Sequence, residues 1–353
     1  MTTELACFIS PHGFGHATRT IGLLQALQCH LPKLKARLFT TVPRSLFQSS
    51  EIPFSYHPVI TDVGLVQRDA FVEDRQQTID KLAELLPFTP SLIGDCAELC
   101  RSCRLIICDI SCLGIEVGRA ASIPSILVEN FTWDWIYAQM GPDSGLEPFQ
   151  EFLSGSYAKS DFRIQTDPVC KPARRDLHCR PIARRHMVER HLIRAELAAG
   201  QRQIILISMG GVALDLPFIK DLQRHKDYYF VVAGQSHDRA IADNIRRQGP
   251  RSTLHHPDLI NGADLLICKS GYSTIAECQQ SGTPICCVAR ENFAESEVVE
   301  RYVAEEMSGT VINERYFFSG EWLNDLEEMM PGRRETLPVN GADQAAEFIY
   351  SLL

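Results

Sequence analysis

Short apolar runs, each closed by a glycine or a polar turn, alternate in this sequence with longer stretches whose apolar residues recur every three or four positions. In the first half, runs at 5–10, 36–41, 105–109 and 125–129 predict strands, and amphipathic stretches at 17–29, 75–86, 91–103 and 114–121 predict helices. A last strand in DFRIQTD closes this unit. After a segment rich in proline and arginine the rhythm restarts. QIILISMGG reads as strand and glycine turn, YYFVVAG as a second strand, STLHH as a short third, and DLLICKSGYSTIAECQQSG as strand, turn and helix. TPICCVAR, a helix over 297–305 and GTVI complete the second half. Such alternation marks parallel sheets covered by helices on both faces, so the predicted fold class is α/β, with two doubly wound, Rossmann-like domains. They are expected at 1–168 and 169–338, with 339–353 forming a C-terminal helix able to cross back to the first.

The length of 353 residues suits two such cores. Apolar content of 45% and charged content of 22% are those of a soluble globular protein. No apolar run approaches the roughly 20 residues of a membrane span, and MTTELACFIS lacks a basic region followed by a cleavable apolar segment, so a cytoplasmic location is expected. A net charge of −9 argues against a nucleic acid partner. The local exception is the basic stretch at 171–194, KPARRDLHCRPIARRHMVERHLIR. It reads either as a solvated linker and helix start or as a lip that receives a phosphorylated ligand. The 13 cysteines are odd in number, and Cys7, Cys108, Cys268, Cys286 and Cys287 fall in apolar runs, which points to free, buried thiols. Cys96, Cys100 and Cys103 have the spacing of an iron–sulfur triad, but i, i+4 and i+7 also describe one face of a helix, and the core-facing reading is preferred. No metal is expected.

In doubly wound sheets ligands bind beyond the carboxyl ends of the strands, where the glycine turns of this chain fall, and two opposed carboxyl edges would make one interdomain cleft. The loop PHGFGHATR presents His12, Gly13, Phe14, Gly15 and His16 directly after the first strand. Gly13 and Gly15 allow positive φ and a close ligand approach, while a helix starting at Ala17 and Thr18 points its N–H groups back at that ligand. The loop is neither the dinucleotide fingerprint, since residue 18 is Thr, nor an ATPase phosphate loop. A tight structural turn with two exposed histidines is the other reading. As the last loop residue, His16 is a candidate general base. Asp109, ending the strand of RLIICDIS, is a candidate orienter of that imidazole or a cap for the next helix.

In LLICKSGYSTIAE, Gly271 breaks a strand, Ser273 and Thr274 offer cap hydroxyls, and the helix opens its N-terminus to a diphosphate without needing a metal. Glu277 follows one turn later, placed for two ribose hydroxyls; a capped helix with a solvated glutamate is the alternative. Residues 208–211, SMGG, let the backbone at Gly210 and Gly211 approach a phosphate or sugar, or simply turn. Arg290, Glu295 and Ser296 follow the next strand and can read sugar hydroxyls, although Glu295 and Ser296 equally suit a helix cap. Phe131, Trp133, Trp135 and Tyr137 in ENFTWDWIYAQM offer faces to an acceptor or pack as core.

The order of these motifs resembles that of GT-B glycosyltransferases, including the lipid-linked N-acetylglucosaminyltransferases of bacterial cell-wall synthesis. HGFGHATR, ENFTWDWIYA, SGYSTIAE and NGADQAAEFI also resemble the N-terminal, glycosyltransferase-like region of plant L-arabinokinases, and the likeness runs along nearly the whole chain. The resemblance implies a GT-B fold with an acceptor-binding first domain and a nucleotide-sugar-binding second one. It places His16 at the base of many inverting members, Asp109 at its acidic partner, Ser270, Gly271, Tyr272, Ser273 and Thr274 at the diphosphate loop, and Glu277 at the ribose glutamate. Glu295 and Ser296 stand where a Glu-Gln or Asp-Gln pair often reads the donor sugar, and the serine departs from that pattern. The sugar-kinase half of arabinokinases has no counterpart before Leu353, and no kinase activity is expected. The resemblance thus implies an inverting, metal-independent glycosyltransferase. Its donor is a nucleotide diphosphate sugar, a UDP-sugar first, as substrate and with no further cofactor; its acceptor is a small molecule, a glycan or a lipid-linked group. A nucleotide-sugar-binding module without transfer activity and an isomerase like the sugar-nucleotide 2-epimerases remain open as other classes.

Overall fold

The computed structural model describes residues 2–67, 73–210, 216–234, 238–249, 254–290, 293–335 and 339–353. The chain divides into two compact units, one of Met1–Arg184 with Val339–Leu353 and one of Arg185–Pro338.

The first unit holds a parallel sheet of seven strands: β1 (Thr3–Ile9), β2 (Leu34–Phe39), β3 (Phe54–His57), β4 (Leu105–Asp109), β5 (Ser125–Glu129), β6 (Phe162–Thr166) and β7 (Leu177–Cys179). Their order is β3-β2-β1-β4-β5-β6-β7. Every residue of β4 and β5 is buried, as expected of parallel strands covered on both faces, which is why LIIC in β4 and ILV in β5 are apolar and polar residues stand only at the strand ends. Phe8 lies opposite Cys108 and Ile9 opposite Asp109, so β4 ends level with the loop that follows β1.

Two strands of this sheet were not expected from the sequence. β3 is only four residues long and β7 only three, too short to display a period, and each is held by pairing to a neighbour. Because β7 pairs with β6, the first unit runs past the expected boundary at 168/169, and DFRIQTD does not close the sheet. The helix Gly341–Ser351 packs against the helix Gly15–His30 and β7, burying Ala342, Ala345, Ala346 and Ile349 in the first core. Asn340 caps it, accepting from Ala342 N at 2.9 Å and donating to the Ala183 carbonyl at 2.9 Å.

The second sheet has the order β10-β11-β9-β8-β12-β13-β14. Its strands are β8 (Gln203–Ser208), β9 (Tyr228–Val232), β10 (Arg239–Ala242), β11 (Ile245–Arg247), β12 (Leu265–Lys269), β13 (Ile285–Val288) and β14 (Thr310–Ile312), parallel except for β10 against β11. Ile204 and Leu206 enter the core on one face, and Ile205 and Ile207 that on the other. The strand expected in STLHH is not formed where it is described: His256 opens the helix His256–Gly262, with Pro257 in its first turn, while 252–253 lie outside the described residues. β10 and β11 were missed because arginines interrupt their apolar pattern, a composition suited to the edge of a sheet.

All thirteen cysteines are free. Cys96 and Cys100 are buried on the helix Pro90–Cys100, and Cys103 is buried just beyond its end. Among the described residues no three His, Cys, Asp or Glu side chains group to hold a metal ion, and no helix is long and apolar enough to cross a membrane.

Candidate functional site

In the first unit the helix after β1 begins at Gly15, earlier than expected, with Phe14 as its N-cap. Of the two loop glycines only Gly13 takes positive φ, at +72°. His16 is therefore a helical residue rather than the last of the loop, and it is only 8% exposed. Its ring lies edge-on to Phe131, 6.1 Å between centroids, and tilted against Trp133. His12 is half-buried, edge-on to Trp133 at 5.0 Å, so neither histidine is fully exposed. Phe131, Trp133 and Tyr137 are buried core, and Trp135 is half-buried. Phe14, by contrast, is 41% exposed.

His16 Nδ1 lies 2.8 Å from Asp109 Oδ1. An ionised carboxylate only accepts, so the proton of a neutral imidazole sits on Nδ1 and the lone pair is left on Nε2. Asp109 also accepts from Arg19 Nε at 2.8 Å and Nη2 at 2.5 Å, and from Thr20 Oγ1 at 3.3 Å. Asn130 holds the other edge of Arg19 and donates in turn to the Thr166 and Asp167 carbonyls. Burial pushes the Asp109 carboxyl upward, but the charge and hydrogen bonds of Arg19, with those of His16, outweigh it and hold the group below its ordinary value. Burial lowers His16, with Asp109 opposing, so the imidazole favours its neutral, proton-accepting form. The backbone at this point is strained. Ile110 has φ +47°, a conformation costing a β-branched residue roughly 1–3 kcal/mol, held by the Tyr157 hydroxyl donating to its carbonyl at 2.8 Å.

Sequence reading missed Arg19, Asn130 and a second carboxyl, Asp62. Asp62 is buried, accepts from Ser10 Oγ at 2.7 Å, and is raised to about 7 chiefly by burial. Arg19 was within reach of sequence reasoning, being one turn on from His16. Asp62 lies in a loop with no periodicity to flag it.

In the second unit the helix Tyr272–Ser281 starts from Gly271, so Ser273 and Thr274 lie inside its first turn and no side chain caps it. Gly271, Tyr272, Ser273 and Thr274 are all half-buried. Ser270 and Ser296 are buried and share a hydrogen bond of 2.9 Å. Ser296 opens the helix Ser296–Glu305, and Glu295 occupies its N-cap without a side-chain capping bond. Glu295 sits 3.7 Å from buried Arg290; burial raises its carboxyl, with Arg290 opposing. Glu277 is not a solvated surface residue: it is 4% exposed, with Oε2 2.8 Å from His256 Nδ1. Gly210 adopts φ +82°, and a Cβ there would meet Lys269 Cε at 3.0 Å. Gly211 lies outside the described residues.

Lys269, the last residue of β12, is the main omission of the sequence reading. A lysine closing the apolar run LLIC just before a glycine turn was the available signal. Burial, reinforced by Arg290 and opposed by Glu295, lowers its ammonium from 10.5 to about 8. A folded value below the unfolded one means that stability is full above pH 10.5 and declines as pH falls toward 8. Lys269→Met is therefore expected to raise the melting temperature at pH 7 by several degrees, the gain shrinking as pH rises to 10.5. A pH series of thermal melts checks this; a variant less stable than wild type at pH 7 contradicts it.

Two doubly wound units of this topology give the chain the GT-B fold of glycosyltransferases. No protein-family model matches it. By sequence it is 26% identical to L-arabinokinase of Arabidopsis thaliana over 334 residues, covering 91% of this chain and 32% of that protein. The chain thus spans about a third of the length of the curated relative it matches. By structure it is similar to CalG4, the calicheamicin glycosyltransferase, with a TM-score of 0.66 and 12% identity over 100% of this chain and 99% of that one. Medicago truncatula UGT71G1, solved with UDP-glucose, superposes with a TM-score of 0.57 and 13% identity over 99% of this chain and 93% of that one.

Proposed function

We propose that this chain is an inverting glycosyltransferase that moves a sugar from a nucleotide diphosphate sugar, a UDP-sugar first, to an acceptor hydroxyl. The observation that carries the reading is the His16–Asp109 pair at the carboxyl edge of the first sheet, 2.8 Å apart, with the proton of the imidazole held on the carboxylate side. His16 Nε2 takes the acceptor hydroxyl proton as that oxygen attacks the anomeric carbon and the carbon–oxygen bond to the diphosphate breaks. Asp109 steadies the imidazolium that forms. The departing diphosphate is received by the start of the helix Tyr272–Ser281 and by the cationic Lys269 and Arg290, two charges that supply what a divalent metal would otherwise provide. Glu277 takes the ribose.

Thermal melts with UDP, dTDP, GDP and ADP test the donor side. At 100 times its Kd a ligand adds about 2.7 kcal/mol of stability, so UDP is expected to raise the melting temperature by several degrees. If none of the four shifts the melt, the donor reading is wrong. The near-burial of His16 favours one second reading, a nucleotide-sugar-binding module without transfer activity. It predicts the same UDP stabilisation with no donor consumed whatever acceptor is offered.

A further inference from the structure

Ser208, His256 and Glu277 form a hydrogen-bonded chain within the second unit. Ser208 is the last residue of β8, 3% exposed, and its Oγ lies 2.8 Å from His256 Nε2. His256 Nδ1 lies 2.8 Å from Glu277 Oε2, whose side chain is 2% exposed against 26% for the histidine. The helix His256–Gly262 packs against both β8 and the helix Tyr272–Ser281, so three elements converge on this imidazole.

The proton positions follow from the groups themselves. A carboxylate has no proton to give, so Nδ1–H donates to Glu277; Nε2 of the neutral ring then accepts from the Ser208 hydroxyl. Both imidazole nitrogens are occupied, and the plane of the ring is fixed from two sides. His256 therefore does not bond a ligand through its nitrogens; it acts through Glu277.

We infer that His256, locked by Ser208, is a positioning residue that holds the Glu277 carboxylate in the orientation that receives the 2′- and 3′-hydroxyls of the donor ribose. This rests on the donor-site reading above and adds the device that makes the carboxylate selective for a ribonucleotide. A mobile glutamate would lose side-chain entropy on binding, and a carboxylate this deeply buried needs a donor partner to remain charged. The same wiring could activate a serine nucleophile, and the test below separates that outcome by labelling.

The test is calorimetric titration of UDP and 2′-deoxy-UDP into the wild-type protein and the variants His256→Phe, His256→Asn, Ser208→Ala and Glu277→Gln, each first checked for a cooperative melt. The wild type is expected to prefer UDP by about tenfold, the effect of one hydrogen bond to a charged group. H256F should lose that preference by weakening UDP about tenfold while leaving 2′-deoxy-UDP unchanged. H256N keeps a side-chain N–H near the Nδ1 position and should retain most of the preference; S208A should fall between. Should H256F fail to fold, the H256N and S208A comparison decides, because a merely structural role would not separate the two nucleotides. An unchanged preference in H256F or S208A, alongside its loss in E277Q, overturns this inference alone. Full preference in E277Q overturns the ribose role of Glu277 and this inference with it. A wild type that binds no UDP overturns the donor-site reading as well. Labelling of Ser208 by a fluorophosphonate would show a nucleophile and also overturn it.

Discussion

Asp109→Ala is expected to destabilise the first unit by about 3–5 kcal/mol, the penalty for removing one partner of a buried ion pair and leaving the other. Asp109 is 1% exposed and is the shared acceptor for His16, Arg19 and Thr20. Without it, Arg19, itself 5% exposed, keeps its bond to Asn130 but loses both bonds to the carboxylate. Denaturant titrations at neutral pH read this as a lower midpoint at unchanged slope. The sign with pH is definite. The folded carboxyl lies below its ordinary value of 3.8, so its contribution is complete above that value and fades as pH falls through the folded one. Wild-type and variant midpoints should therefore converge only in strong acid. A variant as stable as wild type at pH 7 would mean that the cluster does not hold the sheet edge together.

His16→Ala should lower turnover by about 10²- to 10⁴-fold, the usual contribution of a positioned general base, while UDP binding stays near wild type because every proposed nucleotide contact lies in the other unit. Assays with a matched donor and acceptor read the first effect and calorimetry the second; full turnover in the variant removes His16 from the mechanism. Because burial holds the imidazole below 6.5, kcat/KM should rise through a pKa under that value and stay flat above it. Asp109→Asn should move this limb lower still, since the carboxylate's hydrogen bond and charge are what oppose the shift. The same depression makes the part of stability linked to His16 complete above 6.5 and lost as pH falls through the folded value, a dependence that His16→Ala should lack.

The candidate residues were legible where local chemistry is unambiguous. His16 and Asp109 stood out because each ends or follows an apolar run, and the pair proves to be hydrogen-bonded; the segment 270–274 stood out because a glycine separates a strand from a helix, as it does. The same cues misled at finer scale. The glycine pair at 13 and 15 suggested a loop running to residue 16, whereas only Gly13 needs a left-handed backbone and Gly15 is already helical, so His16 is a buried helical residue rather than a loop residue. For Glu277 a solvated glutamate stayed open as the alternative, because helical spacing alone cannot say that a histidine 21 residues earlier lies against it.

The chain's own periodicity determined that β1, β4, β5, β8 and β12 would be strands, since a strand covered on both faces needs a largely apolar run, and it determined which turns follow them. The tertiary structure alone decided which strand ends became neighbours. Asp109 meets His16 across 93 residues because β4 pairs beside β1, and His256 meets Ser208 across 48 because its helix packs over β8. Strand order is a property of the whole packed sheet, and the ionisation of each buried group follows from the partners which that order brings within hydrogen-bonding distance.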